Sequence, residues 1–287
     1  MSLRFSGHDT FHCKQQWLLK GIRLIEEEGN TAFNNTSDAI KTLGVGKNMV
    51  SSVKYWLESF NITNNHKISQ IGKLLLSQNG FDPYLEDEGT LWLLQFHLCH
   101  SKYASIFNLI FCKYFNDKVN YDFTEEKILN FLKRHLEDNN IKAMSSNTLS
   151  NDFKVFTRSY VSSVRESKTL EDDFNSPLLE LNLIEKSDNN TFKINKTNRI
   201  IPPNIFAYSV LLICESENSR SLSFRLIQET IGNYFCLSND SLEEHIHQLN
   251  FISPLFVYNE DAGTANIQIK DYDENDKVNL LRRHYEN

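Results

Sequence analysis

Cysteine is sparse and unpatterned in this chain: Cys13, Cys99, Cys112, Cys214 and Cys236 are odd in number, scattered, and include no CxxC spacing. A zinc ribbon or a disulfide framework is therefore not expected, and the five read as buried thiols. Long apolar runs are also missing. The longest, Leu91 to Leu98 and Ile205 to Cys214, fall short of the roughly 20 residues that cross a bilayer. The opening Met1-Ser2-Leu3-Arg4-Phe5-Ser6 lacks an apolar signal region, so the expectation is a cytoplasmic protein without a membrane role. Neither a Walker glycine loop, a Rossmann fingerprint nor a Ser/His/Asp hydrolase signature occurs. Proline is scarce as well, with 5 residues against 20 Phe in a chain that is 40% hydrophobic, which excludes intrinsic disorder by composition.

What is present is enough chain, 287 residues, for two or three compact domains. The net charge of −7 excludes a non-specific nucleic-acid coat, and its distribution is uneven. Residues 1–80 carry nine Lys/Arg against six Asp/Glu, residues 81–203 carry 15 against 18, and residues 204–287 carry 6 against 13. The N-terminal third alone has a positive balance with which to meet phosphates.

The periodicity predicts a mainly α protein with small β wings, in which tandem winged helix-turn-helix units surround a central helical block. In residues 1–80, a helix from Phe11 to Glu28 precedes a short helix, Ala39 to Leu43, capped by Ser37-Asp38. Gly44-Val45-Gly46 then makes a tight turn into a second helix, Lys47 to Phe60, with Met49, Val53, Trp56, Leu57 and Phe60 on one apolar face. Ile62 to Ile68 reads as a wing turning at Asn64-Asn65, and Gln70 to Leu76 as a closing helix. Residues 81–120 form a helical block: an acidic loop, then helices from Thr90 to Phe115, with residues 116–122 a candidate boundary.

The order recurs in residues 121–203. Helices Glu125–Leu136 and Asn147–Val161, the latter with Leu149, Phe153, Phe156 and Tyr160 inward, precede a hairpin from Leu178–Ile184 to Thr191–Ile194 across residues 187–190. After Pro202-Pro203 it recurs in residues 204–287, as helices Ser223–Ile231 and Ser238–Leu249 and strands Leu255–Tyr258 and Ala265–Ile269.

A helix that reads a major groove needs an apolar anchor face and small polar side chains at its N-terminal end. Lys47, Asn48, Ser51, Ser52, Lys54 and Tyr55 are left off the apolar face, Asn48 can pair with an adenine edge, and Lys47, Lys54 and Lys67 can meet phosphates. The alternative for this unit is a protein-docking module. The second unit offers Lys154, Arg158 and Arg165, closely followed by Glu166 and residues 171–173. The third carries Asp240, Glu243 and Glu244 where phosphate would lie, which favours a structural or protein-binding role.

Two clusters are candidates for chemistry. Phe5 to Cys13 packs His8, Asp9, His12 and Cys13 closely, either as metal ligands or as a loop in which His8 orients a neighbour. Asp82, Glu86, Asp87 and Glu88 could hold magnesium or manganese beside DNA, as in a nuclease, or Asp87 and Glu88 could simply cap the next helix. His97 and His100 around Cys99 read as hydrogen-bonded core.

Several of these segments resemble the domain-of-unknown-function family 4007: Phe5-Ser6-Gly7-His8-Asp9-Thr10-Phe11, Leu43-Gly44-Val45-Gly46-Lys47-Asn48-Met49-Val50, and Asp82-Pro83-Tyr84-Leu85-Glu86-Asp87 with Gly89-Thr90-Leu91-Trp92-Leu93-Leu94. The match covers residues 5–100. It departs at Asp9, where the family usually has Glu, and at His12-Cys13, where aromatic and proline residues are common, which argues against those two as required ligands. The resemblance implies a bacterial protein encoded beside DNA sulfur-modification genes, similar to the B components of single-strand phosphorothioation (Ssp) systems, which are associated with DNA nicking and phage defence. On that reading the catalytic candidates are His8, Asp9, Asp82, Glu86 and Asp87, the cofactor is magnesium or manganese, and the partners are DNA, a cysteine desulfurase, an ATPase and an ATP-pyrophosphatase-like protein. The rival readings are a non-catalytic winged-helix transcriptional regulator and a protein-docking scaffold.

Overall fold

The computed structural model describes residues 3–162, 176–187, 190–261 and 264–286. Arg165, Glu166 and residues 171–173, expected to flank the second basic helix, lie outside the described residues, as do Asp188 and Asn189 of the expected hairpin turn.

The N-terminal third opens with helix α1 (Gln15–Glu28), which buries Trp17, Leu18, Ile22 and Ile25. The short α2 (Thr36–Leu43) follows, its first turn closed by the Asn35 side chain accepting from Ser37 N–H. Gly44 ends α2 with φ 66° and ψ 35°, a left-handed conformation in which a side chain would be strained. Gly46 has φ −69° and caps the start of α3 (Lys47–Ser59), so only the first glycine supplies the positive φ expected of the pair. A two-stranded ribbon, β1 (Thr63–Asn64) and β2 (Lys67–Ile68), turns at Asn65 and His66. The turn is one residue later than expected, because Asn65 and His66 take the positive φ values of 49° and 65° that a tight two-residue hairpin needs. Helix α4 (Gln70–Leu76) closes this part.

Helix α5 (Glu88–His100) is buried from Gly89 to Cys99 on every face, so its sequence shows no amphipathic stripe. The short α6 (Ser105–Asn108) continues into a π-helical turn, Leu109–Tyr114. These segments are the axle of the molecule. Gln95, at mid-helix, accepts from the Tyr160 hydroxyl at 2.6 Å and donates to the Tyr234 carbonyl at 2.8 Å, joining elements 65 and 139 residues away.

Two further parts share one topology. In the first, β3 (Asp122–Thr124), α7 (Glu125–Asp138), α8 (Ser146–Tyr160), β4 (Ile184–Lys186) and β5 (Thr191–Ile194) form an antiparallel sheet in the order β3-β5-β4 against the two helices. In the second, after α9 (Pro203–Glu217), β6 (Ser221–Ser223) leads into α10 (Phe224–Ile227) and a π-helical turn, Gln228–Gly232. Helix α11 (Asn239–Ile252) and strands β7 (Phe256–Asp261) and β8 (Thr264–Ile269) complete a sheet in the order β6-β8-β7. Helix α12 (Glu274–Tyr285) packs back on α9.

Three differences from the sequence expectation have physical reasons. Residues 178–183 are not strand: Pro177 starts a 3-10 turn, Pro177–Leu181, and Asn182 leaves it with φ 49°, so the strand begins at Ile184. Strands β3 and β6 were not anticipated, being three residues long and stabilised by partners 67 to 71 and 43 to 47 residues away in sequence. Residues 116–122 do not separate two cores, since buried side chains form one continuous cluster from Phe5 to Leu281. All five cysteines are free and buried, as expected. Among the described residues, no helix is long and apolar enough to cross a membrane.

Candidate nucleic-acid interface

Helix α3 buries seven of its 13 residues, Val50, Ser52, Val53, Tyr55, Trp56, Leu57 and Ser59. Complete burial of Trp56 and Phe60 anchors it by about 1.5–3 kcal/mol for a large side chain. Lys47, Asn48 and Ser51 remain exposed and Lys54 half-buried, a stripe along one edge that starts at the N-terminal end. Ser52 and Tyr55, expected on that outer face, are inside. The Ser52 hydroxyl donates to the His8 carbonyl at 2.7 Å, and the Tyr55 ring meets His8 edge-on at 5.5 Å between centroids. Their positions fall between the apolar residues of a helix covered on two sides rather than one, so a single-face reading put them outward. The ribbon is fixed to α3 by Glu58, whose carboxylate accepts from His66 N–H and the Thr63 hydroxyl, leaving Lys67 exposed at its edge.

The segment Phe5–Phe11 that covers α3 is held in an uncommon backbone. Ser6, Gly7, Asp9 and Thr10 all have positive φ, from 44° to 103°. Such a conformation persists only where surrounding bonds over-determine it. Here the buried Asp152 on α8 accepts from Ser6 N–H and from His8 Nε2, both at 2.9 Å. Thr10 N–H donates to His8 Nδ1 at 3.1 Å, which places the imidazole proton on Nε2, facing the carboxylate. Gly7 lies so close to α3 that a β-carbon would come within 2.9 Å of the Tyr55 ring. Arg4 adds an outer layer, its guanidinium 4.1 Å from the centre of the Tyr103 ring. His8 is thus a clasp between the first and second helical parts. Asp152 went unseen in the sequence, although a carboxylate on the inward stripe Leu149–Phe153–Phe156 was a legible signal of a buried partner.

The acidic loop is a separate construction. Asp82 is buried and accepts from Glu86 N–H at 2.9 Å and Asp87 N–H at 3.0 Å, closing its own turn. Asp87 caps α5 by accepting from Gly89 N–H at 2.7 Å, and binds His284 of α12 at the same distance. Capping, one of the two readings of this cluster, is what the geometry contains. His8 and the Asp82–Asp87 loop therefore engage different partners, Asp152 for the first and the loop's own backbone, α5 and His284 for the second. Asp9 and Glu86 are exposed, and among the described residues no three His, Cys, Asp or Glu side chains converge as a metal cage.

The basic residues do come together. A cavity of about 750 Å³ between the start of α1 and the α2–α3 turn is lined by Lys14, Lys20 and Lys47 with Phe11, Trp17 and Met49. Lys14 and Arg158 both act on His12, whose pKa is lowered to about 4 by burial first and then by these two cations. Arg158 lies one helical turn from Lys154 on α8, and both are exposed. Basic side chains thus follow one another from Lys47 and Lys14 at the cavity to Arg158 near His12 and Lys154 one turn away on α8. His97 sits in the core, but only its Nδ1 has a partner, Asn61 at 3.4 Å, while Nε2 is buried without one, and His100 is half-buried against Phe96; burial is the chief cause that lowers them to about 3 and about 4.

Fold and site define a mainly helical protein in which short helix pairs with small antiparallel ribbons and sheets surround a buried central helix. The chain belongs to the family described as protein of unknown function (DUF4007), matched over residues 5–285. Its fold is similar to that of a crystal structure described as magnesium ion-bound SspB, with a TM-score of 0.84 and 23% identity, over 99% of this chain and 88% of that one. A second, described as SspB, has the same TM-score and coverage at 22% identity. No curated protein matches significantly.

Proposed function

We propose that this protein is the DNA-engaging component of a bacterial DNA phosphorothioate-modification system, with α3 and α8 acting as the helices of two winged-helix units that straddle a nucleic-acid backbone. The observation that carries this reading is the succession of basic side chains from Lys47 through Lys14 to Arg158 and Lys154. Lysine and arginine on two helices bridged by the Phe5–Phe11 segment suit a row of phosphates, and the short Asn48 and Ser51 beside Lys47 leave room for a base edge. Family membership and the fold shared with SspB support the cellular setting, in which a cysteine desulfurase, an ATPase and an ATP-pyrophosphatase-like protein are the proposed partners.

A nicking role is the finer part of the proposal, and it rests on the resemblance to the Ssp B components. The carboxylates expected to hold magnesium or manganese do not fit a preformed site: both oxygens of Asp82 serve its own loop, and Asp87 serves α5 and His284. No cleavage step is assigned to them. Incubating the protein with supercoiled plasmid, with and without magnesium or manganese, separates the two levels. Salt-sensitive binding with intact plasmid supports DNA engagement alone, conversion to open circles adds nicking, and absence of any binding at low salt refutes both. Footprinting on its own promoter distinguishes the regulator reading, which requires one protected site.

A further inference from the structure

We propose that the cavity at the α2–α3 turn holds a single unstacked nucleotide of a DNA strand, its phosphate on the α3 N-terminus and Lys47, its base against the apolar wall. The volume, about 750 Å³, lies within the ~300–1,000 Å³ range of sites for small ligands. None of the residues lining it is acidic, and three are lysines. Lys20 is partly engaged, its ammonium donating to the Leu43 carbonyl, whereas Lys47 stands exposed at the mouth. Gly46, the residue before α3, has no side chain to satisfy the first-turn N–H groups, which are left to face an anion together with the positive end of the helix dipole.

The rest of the lining is what a heteroaromatic ring requires. Phe11, Trp17, Ile40, Val45 and Met49 supply flat and soft apolar surface, and Gln16 and Asn48 supply amides that can pair with a base edge. A simple phosphate would leave this wall unused, and an apolar ligand would leave Lys47 and the uncapped start of α3 unmatched. A nucleotide satisfies both halves. A base stacked in a duplex cannot reach such a recess, so the occupant is a nucleotide turned out of its strand. The inference rests on the DNA-engagement reading and sharpens it from phosphate contact to recognition of a locally opened strand.

The test uses 2-aminopurine deoxyribonucleoside 5′-monophosphate, whose fluorescence is quenched on stacking, beside a labelled 20-base-pair duplex. Wild-type protein is expected to quench the mononucleotide. Lys47→Glu at the mouth and Val45→Phe, which fills the recess, should each weaken that binding by about tenfold or more, through removal of a charge-assisted hydrogen bond or of the space itself. Lys154→Ala/Arg158→Ala, outside the cavity lining, should weaken duplex binding more than mononucleotide binding. Thermal melts show that the variants are folded, and Lys47→Glu alters an exposed side chain, so it does not depend on how the turn tolerates Val45→Phe. Absence of quenching by the wild type, or quenching that survives both pocket variants, overturns the pocket whatever the duplex does. Quenching that both pocket variants weaken, in a protein that ignores duplex, upholds the pocket and removes the wider interface.

Discussion

The parts of the chain around α8 and α11 have the same order of elements and the same sheet order, yet they present opposite surfaces. Helix α8 turns Lys154 and Arg158 to solvent, whereas α11 turns Asp240, Glu243 and Glu244, and near its end Phe251, which is 84% exposed. Inside, they do similar work. Asp152 of α8 holds the backbone at Ser6 and the ring of His8. On α11, the Ser241 hydroxyl donates to the Arg199 carbonyl at 2.8 Å and His245 Nε2 accepts from Ile201 N–H at 2.9 Å. Each helix therefore uses interior polar side chains to hold a stretch of backbone outside regular secondary structure. The buried stripe sets the architecture, and the exposed stripe sets the surface charge, so one topology presents a basic face on α8 and an acidic face on α11.

The largest expected effect separates the two interior clasps. Asp152→Ala leaves two buried donors, His8 Nε2–H and Ser6 N–H, without an acceptor and should destabilise the protein by about 2–6 kcal/mol, at about 1–3 kcal/mol for each stranded group. His245→Ala strands one backbone N–H and should cost about 1–3 kcal/mol. Urea denaturation of both variants checks the ranking, and equal losses would mean the clasps are interchangeable.

Acid should act next, through histidines of the N-terminal and central parts. His12, His97 and His100 are lowered from 6.5 to about 4, 3 and 4 in the fold, so below 6.5 the unfolded chain binds protons that the native state refuses. Stability is full above pH 6.5 and falls as pH drops from there towards 4. Between pH 7 and pH 5 the urea-derived stability should decline by a few kcal/mol, on the order expected for buried neutral imidazoles. His97→Gln/His100→Gln should flatten that decline, and an unchanged pH profile in this variant would contradict it.

These interior clasps mark the limit of what the sequence disclosed. The helix α3 and its glycine turn were legible because Val53, Trp56, Leu57 and Phe60 repeat at helical spacing and Gly44 sits where a left-handed residue is needed. Paired helices followed by a hairpin were legible three times over, by the same reasoning. Strands β3 and β6 were not, since three residues carry no periodicity and their stabilising partners lie far along the chain. Ser52 and Tyr55 were misplaced because a helix covered from two sides looks amphipathic when only its strongest face is counted. The pairing of Asp152 with His8 was hidden by distance in sequence, and the partners of Asp82 could not be known until its loop was placed. Composition alone showed that positive charge gathers early in the chain; the structure added Arg158 and Lys154 to it from a distant helix.

A smaller effect is expected where the two outer stripes are exchanged. Glu243→Lys/Glu244→Lys makes α11 resemble α8 in charge and should change DNA affinity by less than about threefold, because isolated surface charges without a matching backbone path contribute little. A large gain, measured by fluorescence anisotropy with duplex, would show that charge alone recruits DNA and that the neighbouring cavity and α3 stripe are dispensable.

The central claim is that Lys47, Lys154 and Arg158 neutralise phosphates along one path. The direct measurement is the slope of log affinity against log salt for a duplex, compared between the wild type and Lys47→Ala/Lys154→Ala/Arg158→Ala. The account predicts a steep wild-type slope that becomes shallower by about three in the triple variant, near one counterion for each phosphate no longer neutralised. Identical slopes, or wild-type binding indifferent to salt, would contradict it.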